Sequence, residues 1–379
     1  YLAETNLAGQ ALVESSGIAR IEEIVSRWSP NASNQDDLRG WEWYYLRSLI
    51  GQELQTIDVG KNVWTVRFNP QGDTVACGSD LNVLRLYSLA EDRKEKIVFR
   101  DGSEHEQHIR AVTFSPDGRS VASAAIDGQL FVFDQASMRE KWRFLHEDYI
   151  HTLAWHPKAP LLAAGCRDGS VSVWNTETGR RHKRFQDFGP VQTIDWSPDG
   201  TQLVIGDWDF VIHVLNLQDE SITDKLMHHK RPVYSVRFHP TEPWLASCDS
   251  SGQVCVWDLA EDRLRWMIPP SNFACWEVDW NPQGDRLAIV GRNRFVHLLD
   301  GATGASINRL EGHRGAIWSI DWSPDGKQLV TGAHDWTIRV WDAKPQSGDR
   351  VLDPDIERVK LNCLAWHPDG DLLAVGSTG

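Results

Sequence analysis

The sequence predicts an all-β protein built as a propeller, in which small antiparallel sheets repeat around a common axis. Three observations predict it. Pro70, Pro116, Pro157, Pro198, Pro240, Pro282, Pro324 and Pro368 recur at intervals of 41 to 46 residues, a period that belongs to repeated architecture. Two places before each stands an aromatic residue: Phe68, Phe114, Trp155, Trp196, Phe238, Trp280, Trp322 and Trp366. Between the prolines run short strand-like segments such as QLVTGA, TIRVWDA and SINRL, with too few residues between them for crossover helices. Sheets this small cannot each bury both faces alone, and radial stacking satisfies all of them.

The elements follow in chain order. Residues 1–50 lack the period and read as an α-helical lead-in, with Ile18, Ile21, Val25 and Trp28 on one face and Leu38, Trp41, Tyr45 and Leu49 on another. SPNASNQDD separates the two stretches and offers Asn and Asp as caps. Residues 51–349 read as a seven-bladed ring. QELQTIDV, residues 52–59, has the length and place of a strand that closes the last blade from the opposite end of the chain. Residues 350–379 read as an incomplete eighth repeat, either the start of a second propeller or a truncated blade. The chain begins at Tyr1 without an initiator Met and stops within a repeat, so it reads as an internal fragment of something longer.

Composition narrows the partners. Among 379 residues, 39 basic side chains stand against 53 acidic ones, a net charge of -14, which repels phosphate backbones and anionic lipid at long range. Nucleic acid and membrane surfaces are therefore not expected as partners, and no apolar run approaches the roughly 20 residues of a membrane span. Cys77, Cys166, Cys248, Cys255, Cys275 and Cys363 show neither C-x-x-C pairing nor His-rich spacing, so no metal and no cofactor is expected. They read as free thiols, with Cys248 and Cys255 the pair that a tight hairpin would bring face to face.

One stretch has the residue types of a hydrolytic site. EGHRGAIWSIDWSPDGKQLVTGAHDWTIRVWDA, residues 311–343, holds His313, Ser319, Thr331, His334 and Asp335 beside four tryptophans. The pattern recurs along the chain, and repetition favours scaffold over catalysis. The unit resembles the WD40 repeat, opened by Gly312-His313 and closed by Trp341-Asp342, with Trp257-Asp258 a second closing pair. The resemblance covers about residues 52–379. It implies a buried network of a His before the inner strand, a Ser or Thr in the second strand, an Asp in the next turn and a Trp in the third. These are His313, Thr331, Asp335 and Trp341. Incomplete sets are His105, Ser123 and Asp127 with Phe133; His146, Asp168 and Trp174 with Ala164; and His229, Ser247 and Trp257 with Ser251 at the Asp position. The first, fourth and sixth repeats lack most of it, with Leu81 at the Asp position of the first and Asp187, Ile205 and Leu215 in the fourth, and are expected to rely more on apolar packing. Asp187-Phe188-Gly189 matches the magnesium-binding triplet of protein kinases, but no Gly-rich loop, V-A-I-K lysine or H-R-D accompanies it. By repeat phase it is a loop between blades.

The inner strands carry a sharper signal. Apolar residues fall seven, four and two places before each proline, a broken alternation that a β-bulge explains. The bulge turns the residue six before the proline toward the upper rim: Trp64, Arg110, His151, Gln192, Tyr234, Trp276, Trp318 and Asn362. The WD40 resemblance implies that this residue, the one two before it and the one preceding the turn Asp are exposed where partners dock. That adds His108, Tyr149, Arg167, Trp208, Arg292 and His334. Exposed Trp, Tyr and Arg dominate interface energetics, and an acidic or phosphorylated peptide suits the arginines. The inner strands show no converging carboxylates or metal ligands in register, so an axial enzyme site is not expected.

The expected function is a non-catalytic protein-protein interaction scaffold or sensor that binds a protein or peptide on the top face. A second resemblance gives the alternative. YLAETNLAGQAL followed by DLRGWEWYYLRSLI is similar to the helical stretch before the propeller of large bacterial Ser/Thr protein kinases with WD-repeat regions. It implies a kinase domain in cis, outside this chain, with this piece as its sensing or docking region. The compartment expected is cytoplasmic, or extracytoplasmic if the chain is attached to a membrane-anchored kinase.

Overall fold

The computed structural model describes residues 53–89, 95–97, 105–137, 139–270, 273–343, 360–366 and 373–378. The helical lead-in read over residues 1–50 lies outside them. Seven four-stranded antiparallel sheets follow one another along the chain, and no helix occurs among the described residues. Blade 1 runs Val63–Phe68, Thr74–Ser79, Arg85–Ser88, Glu95–Ile97, from the innermost strand outward. The inner strands of blades 2 to 7 are Ile109–Phe114, Ile150–Trp155, Val191–Trp196, Val233–Phe238, Cys275–Trp280 and Ile317–Trp322. Each packs against the inner strands before and after it, and the first packs against the seventh, so the sheets close into a ring.

Closure joins distant parts of the chain. Blade 7 takes three strands from residues 317–342 and its outermost strand, Glu53–Asp58, from before blade 1, with Ile57 opposite Ile338. A ring closed in this way exposes fewer unpaired edges than an open stack would.

The recurring proline sits in the turn between first and second strands. In blade 2, Ser115 Oγ donates to Asp117 at 2.6 Å and accepts from Ser120 N at 2.9 Å, while Gly118 adopts φ +69°. Proline fixes φ at the second turn position and glycine supplies the left-handed one, which makes S-P-D-G a self-contained hairpin turn. Ser197 with Asp199 and Ser323 with Asp325 repeat it.

The core lies between blades. Leu130, Val132 and Phe144 of blade 2 pack on Ile150 and Leu162 of blade 3, and the other interfaces are built alike. The aromatic two before the proline is also a hydrogen-bond donor when it is Trp. Trp155, Trp196, Trp280 and Trp322 each give their indole N–H to a main-chain carbonyl of the preceding inner strand, at 3.1 to 3.3 Å (Thr113, Ala154, Arg237, Asp279). The indole thus buries its ring without orphaning its donor.

Cys248 lies opposite Val254 and Cys255 opposite Ser247, so the hairpin does not bring the two thiols face to face. All five cysteines with described side chains are buried, and Cys166, Cys248, Cys255 and Cys275 are free thiols. A separate unit, Gln346–Gly379, contains one antiparallel hairpin, Lys360–Trp366 with Leu373–Thr378.

Candidate binding site at the mouth of the ring

Every inner strand is bulged at one place. The pairing register breaks between residues seven and five before the proline in all seven blades, as at Val63/Thr65 and Ile317/Ser319, and again at Leu361/Cys363 in the last hairpin. The extra residue leaves the ladder. Trp64, Arg110, His151, Gln192, Tyr234, Trp276 and Trp318 therefore converge, and all seven line one opening of about 100 Å³ on the ring axis. Asn362 belongs to the separate hairpin.

The neighbouring turns reach the same face. In each blade the first residue after the second strand donates its N–H to the carbonyl two residues before the bulge: Asp80 to Asn62, Ile126 to His108, Arg167 to Tyr149, Trp208 to Pro190, Ser250 to Pro232, Arg292 to Ala274 and His334 to Ala316. His108, Tyr149, Arg167, Trp208, Arg292 and His334 thus sit on turns that frame the opening, outside its lining.

Aromatic contacts organise one side of the mouth. Trp276 and Trp318 stack with centroids 3.9 Å apart, Trp318 meets Trp64 edge-on at 4.8 Å, and His334 touches both Trp64 and Trp318. The Arg110 guanidinium lies 4.1 Å from the Trp64 ring centroid, a cation–π arrangement that strengthens as water is excluded. Trp64 donates to Asp80 at 2.5 Å, which also accepts from Asn62 and faces His108 at 3.3 Å. On the far side Arg167 covers Tyr149, which leans on His151. Burial, then Arg110 and Arg167, push His151 down to about 4, so it is neutral at physiological pH. Burial also lowers Arg110, against the pull of Tyr149, Tyr234 and Asp80.

Below the mouth the inner strands do bring carboxylates together, which corrects the sequence reading. Asp195, Asp279 and Asp321 stand three before their prolines, and Glu277 joins them. Arg67 and Arg237 share one Glu277 oxygen at 2.5 and 2.6 Å. The reason is the free edge of each inner strand, whose unpaired N–H groups need acceptors. Asp321 accepts from Phe68 N at 2.7 Å, Asp195 from Phe238 N at 2.8 Å and Asp279 from Trp322 N at 3.2 Å. Ser319, Thr152, Thr193, Ser235 and Glu277 take the N–H two residues earlier in the next blade. Burial pushes Asp279 and Asp321 up; Asp279 also feels Asp321 and Glu277, and Asp321 feels Glu277. Burial works against the Glu277 charge as well, but the two arginines outweigh it and hold that carboxyl low. Among the described residues no group of three His, Cys, Asp or Glu is placed to hold a metal ion.

The His-centred ties lie inside the blades. His313 reaches Thr331 at 2.7 Å and Asp335 at 2.8 Å, and Trp341 closes on Thr331. His105 meets Ser123 at 2.9 Å and Asp127 at 3.4 Å. In blade 5 the acid is Asp249, not the position of Ser251: His229 meets Asp249 and Ser247, both at 2.8 Å, and Trp257 donates to Ser247. His146 takes Cys166 and Trp174 as partners at 3.2 Å each, whereas Asp168 holds Ser170 and faces Arg184. Blades 4 and 6 do not rely on apolar packing alone. Each has a tie with the His on its third strand, Asp207–His213 at 2.9 Å and Asn293–His297 at 2.7 Å. Asp187–Gly189 is the loop between Phe185 and Val191.

Comparison with known proteins agrees with this architecture. A family described as IFT122 first beta-propeller matches residues 92–342, and the WD domain, G-beta repeat, matches residues 51–88 and 357–379. Actin-interacting protein 1 of Drosophila melanogaster is 26% identical over 166 residues, 42% of this chain and 27% of its own length. WD repeat-containing protein 1 of Xenopus tropicalis and WD repeat-containing protein 1-A of Xenopus laevis are 27% and 28% identical over 166 residues, with the same coverage. The chain spans about a quarter of the length of these relatives. They are animal proteins and lend no support to the bacterial kinase resemblance, whose residues 1–12 and 37–50 lie outside the described ones. The period, the ring closed by strands from both ends, the seven bulges and a family match over more than half its length together show that the chain belongs to the WD-repeat β-propeller family.

Proposed function

We propose that this chain is a non-catalytic protein-interaction scaffold that grips a peptide segment of a protein partner at the axial mouth. The observation that carries the reading is the convergence of seven bulge residues on one opening, with Trp64, Trp276, Trp318 and Arg110 in mutual contact and half-buried. Large amphipathic side chains held rigidly in this way give contact area at little entropic cost. The axial carboxylates do not compete as a catalytic reading, because their oxygens are committed to arginines and main-chain N–H groups. Arg110 and Arg167 favour an acidic or phosphorylated segment. A relative named for interacting with actin supports a protein as the partner class. On the same reading residues 51–349 are one interaction module, separate from residues 350–379.

The test is selection of displayed peptides on the immobilised chain. Peptides enriched on the wild type are expected to lose binding to W64A/W276A/W318A while its thermal unfolding stays that of a folded ring. Retained binding by that variant would overturn the assignment.

A further inference from the structure

Seven equivalent turns join the second and third strands of the blades, and each has one residue in the left-handed region: Asn82, Gly128, Gly169, Phe210, Gly252, Arg294 and Trp336, with φ between 60° and 82°. Glycine and asparagine adopt this conformation readily, whereas a bulky side chain there is strained because its Cβ crowds the following carbonyl oxygen. Phe210, Arg294 and Trp336 therefore strain their turns, and burial does not compensate, since Trp336 is 55% and Phe210 39% exposed. Strain kept on a surface turn without burial points to a role outside folding.

Two of the three stand on adjacent blades. Arg294 shares the blade 6 turn with Arg292, whose N–H is tied to Ala274 beside the Cys275–Trp280 strand. Trp336 shares the blade 7 turn with Asp335, which holds the main chain of Arg314 at 2.7 Å. The Trp276–Trp318 stack and the Trp318–His334 contact join the two blades between these turns. Among the described residues, no side chain pairs with the guanidinium of Arg292, Arg294 or Arg314, and all three are exposed. In a chain of net charge -14, three exposed arginines without side-chain partners on two adjoining blades, one of which carries the exposed Trp336, offer positive charge to an acidic partner. Phe210 lies apart on blade 4, in a turn with Asp207 and Asp209, and offers no cationic face.

We propose that the outer rim of blades 6 and 7, formed by Arg292, Arg294, Arg314 and Trp336, is a docking strip for an acidic segment of a protein partner, its carboxylates on the arginines and an apolar side chain on Trp336. The proposal rests on the reading that this face meets a protein, but its residues lie outside the axial mouth. The strip extends the contact outward from the Trp276–Trp318 stack. Its two strained side chains are retained for the partner at the expense of the free fold.

The probe is a short fluorescein-labelled peptide rich in Glu and Leu, titrated by anisotropy onto the full chain. R294G/W336G is expected to melt higher than the wild type, by about 2 °C or more, because glycine relieves both turns. The same variant is expected to bind the probe about tenfold more weakly. R292Q/R314Q, which leaves the strained turn positions untouched, should also weaken the probe and flatten its salt dependence. Unchanged binding by both variants would overturn the strip, as would absence of probe binding to the wild type or equal affinity for single-stranded DNA. Loss on W64A/W276A/W318A with the rim variants intact would sink the strip and leave the mouth standing; loss on the rim variants alone does the reverse.

Discussion

Trp341 gives its indole N–H to Thr331 Oγ1 at 2.8 Å, deep in blade 7. The same hydroxyl faces His313 Nε2, whose Nδ1 faces the Asp335 carboxylate. Burial works to raise the Asp335 carboxyl, but the His313 hydrogen bond, Thr337 and the Arg314 N–H hold it low and ionised. Burial lowers His313, so its ring is neutral. An ionised Asp335 can only accept, so Nδ1 carries the proton, Nε2 is the acceptor and Thr331 must donate to it. Thr331→Val keeps the shape but orphans the Trp341 donor and the His313 acceptor, at about 1–3 kcal/mol each. Urea unfolding should show that loss, and Thr331→Ser should unfold close to wild type; equal behaviour of the two variants contradicts the tie.

The axial ion cluster should reveal which charge is left stranded when one partner is removed. Glu277 is buried, and Arg67 and Arg237 both hold one of its oxygens. Arg67→Met leaves an acid under-compensated in low dielectric, a loss on the order of 3 kcal/mol. Adding Glu277→Gln removes that acid and keeps an oxygen for the Ile320 N–H, so R67M/E277Q should melt above R67M. Calorimetric melting that falls further in the double variant would refute this account.

The sequence made the frame legible and the axis illegible for one physical reason. A proline, the aromatic two before it and apolar residues four and seven before it repeat because they meet the same packing problem in each blade. Arg67, Asp195, Arg237, Asp279 and Asp321 occupy the alternate face of the inner strand, which in a linear pattern reads as solvent. In the ring that face meets the free edge of the next inner strand, and charge becomes an acceptor for main-chain N–H groups. The bulge was legible because it breaks the alternation at a fixed place. The strained turn residues were not, since nothing in the order of residues distinguishes Gly128 from Trp336 until the equivalence of their φ angles is seen.

Blade 5 shows the same limit at a single residue. The acid there ends the second strand rather than following it, so the His–acid spacing is 20 instead of the 22 of blades 2 and 7. Asp249 accepts from His229, from the Ser251 N–H and hydroxyl, and from Gln253 N. Asp249→Ala orphans that buried set and should cost about 2–4 kcal/mol in urea unfolding. Ser251→Ala removes one donor and should cost about 1 kcal/mol or less. A larger effect at Ser251 would return the role to the residue that spacing alone selects.

Stability should carry an acid-range signature from Asp321. Burial raises its carboxyl from 3.8 to about 6, despite Arg67 and the Phe68 N–H. Between those values the folded chain binds a proton that the unfolded chain has released, so this group stabilises the fold below 3.8 and loses that contribution as pH rises through about 6. His146 works the other way. Burial drops it from 6.5 to about 4, so its contribution is present above 6.5 and lost as pH falls through 4. The two overlap in a raw pH profile, and the difference between variants separates them. Asp321→Asn keeps an oxygen for the Phe68 N–H and removes only the titration. Relative to this variant, the wild type should lose on the order of 2 kcal/mol between the two Asp321 values, read as urea midpoints across that range. Parallel curves with a constant offset would mean that the carboxyl titrates alike in both states, and that the axial cluster leaves Asp321 no more costly to ionise in the fold than in the open chain.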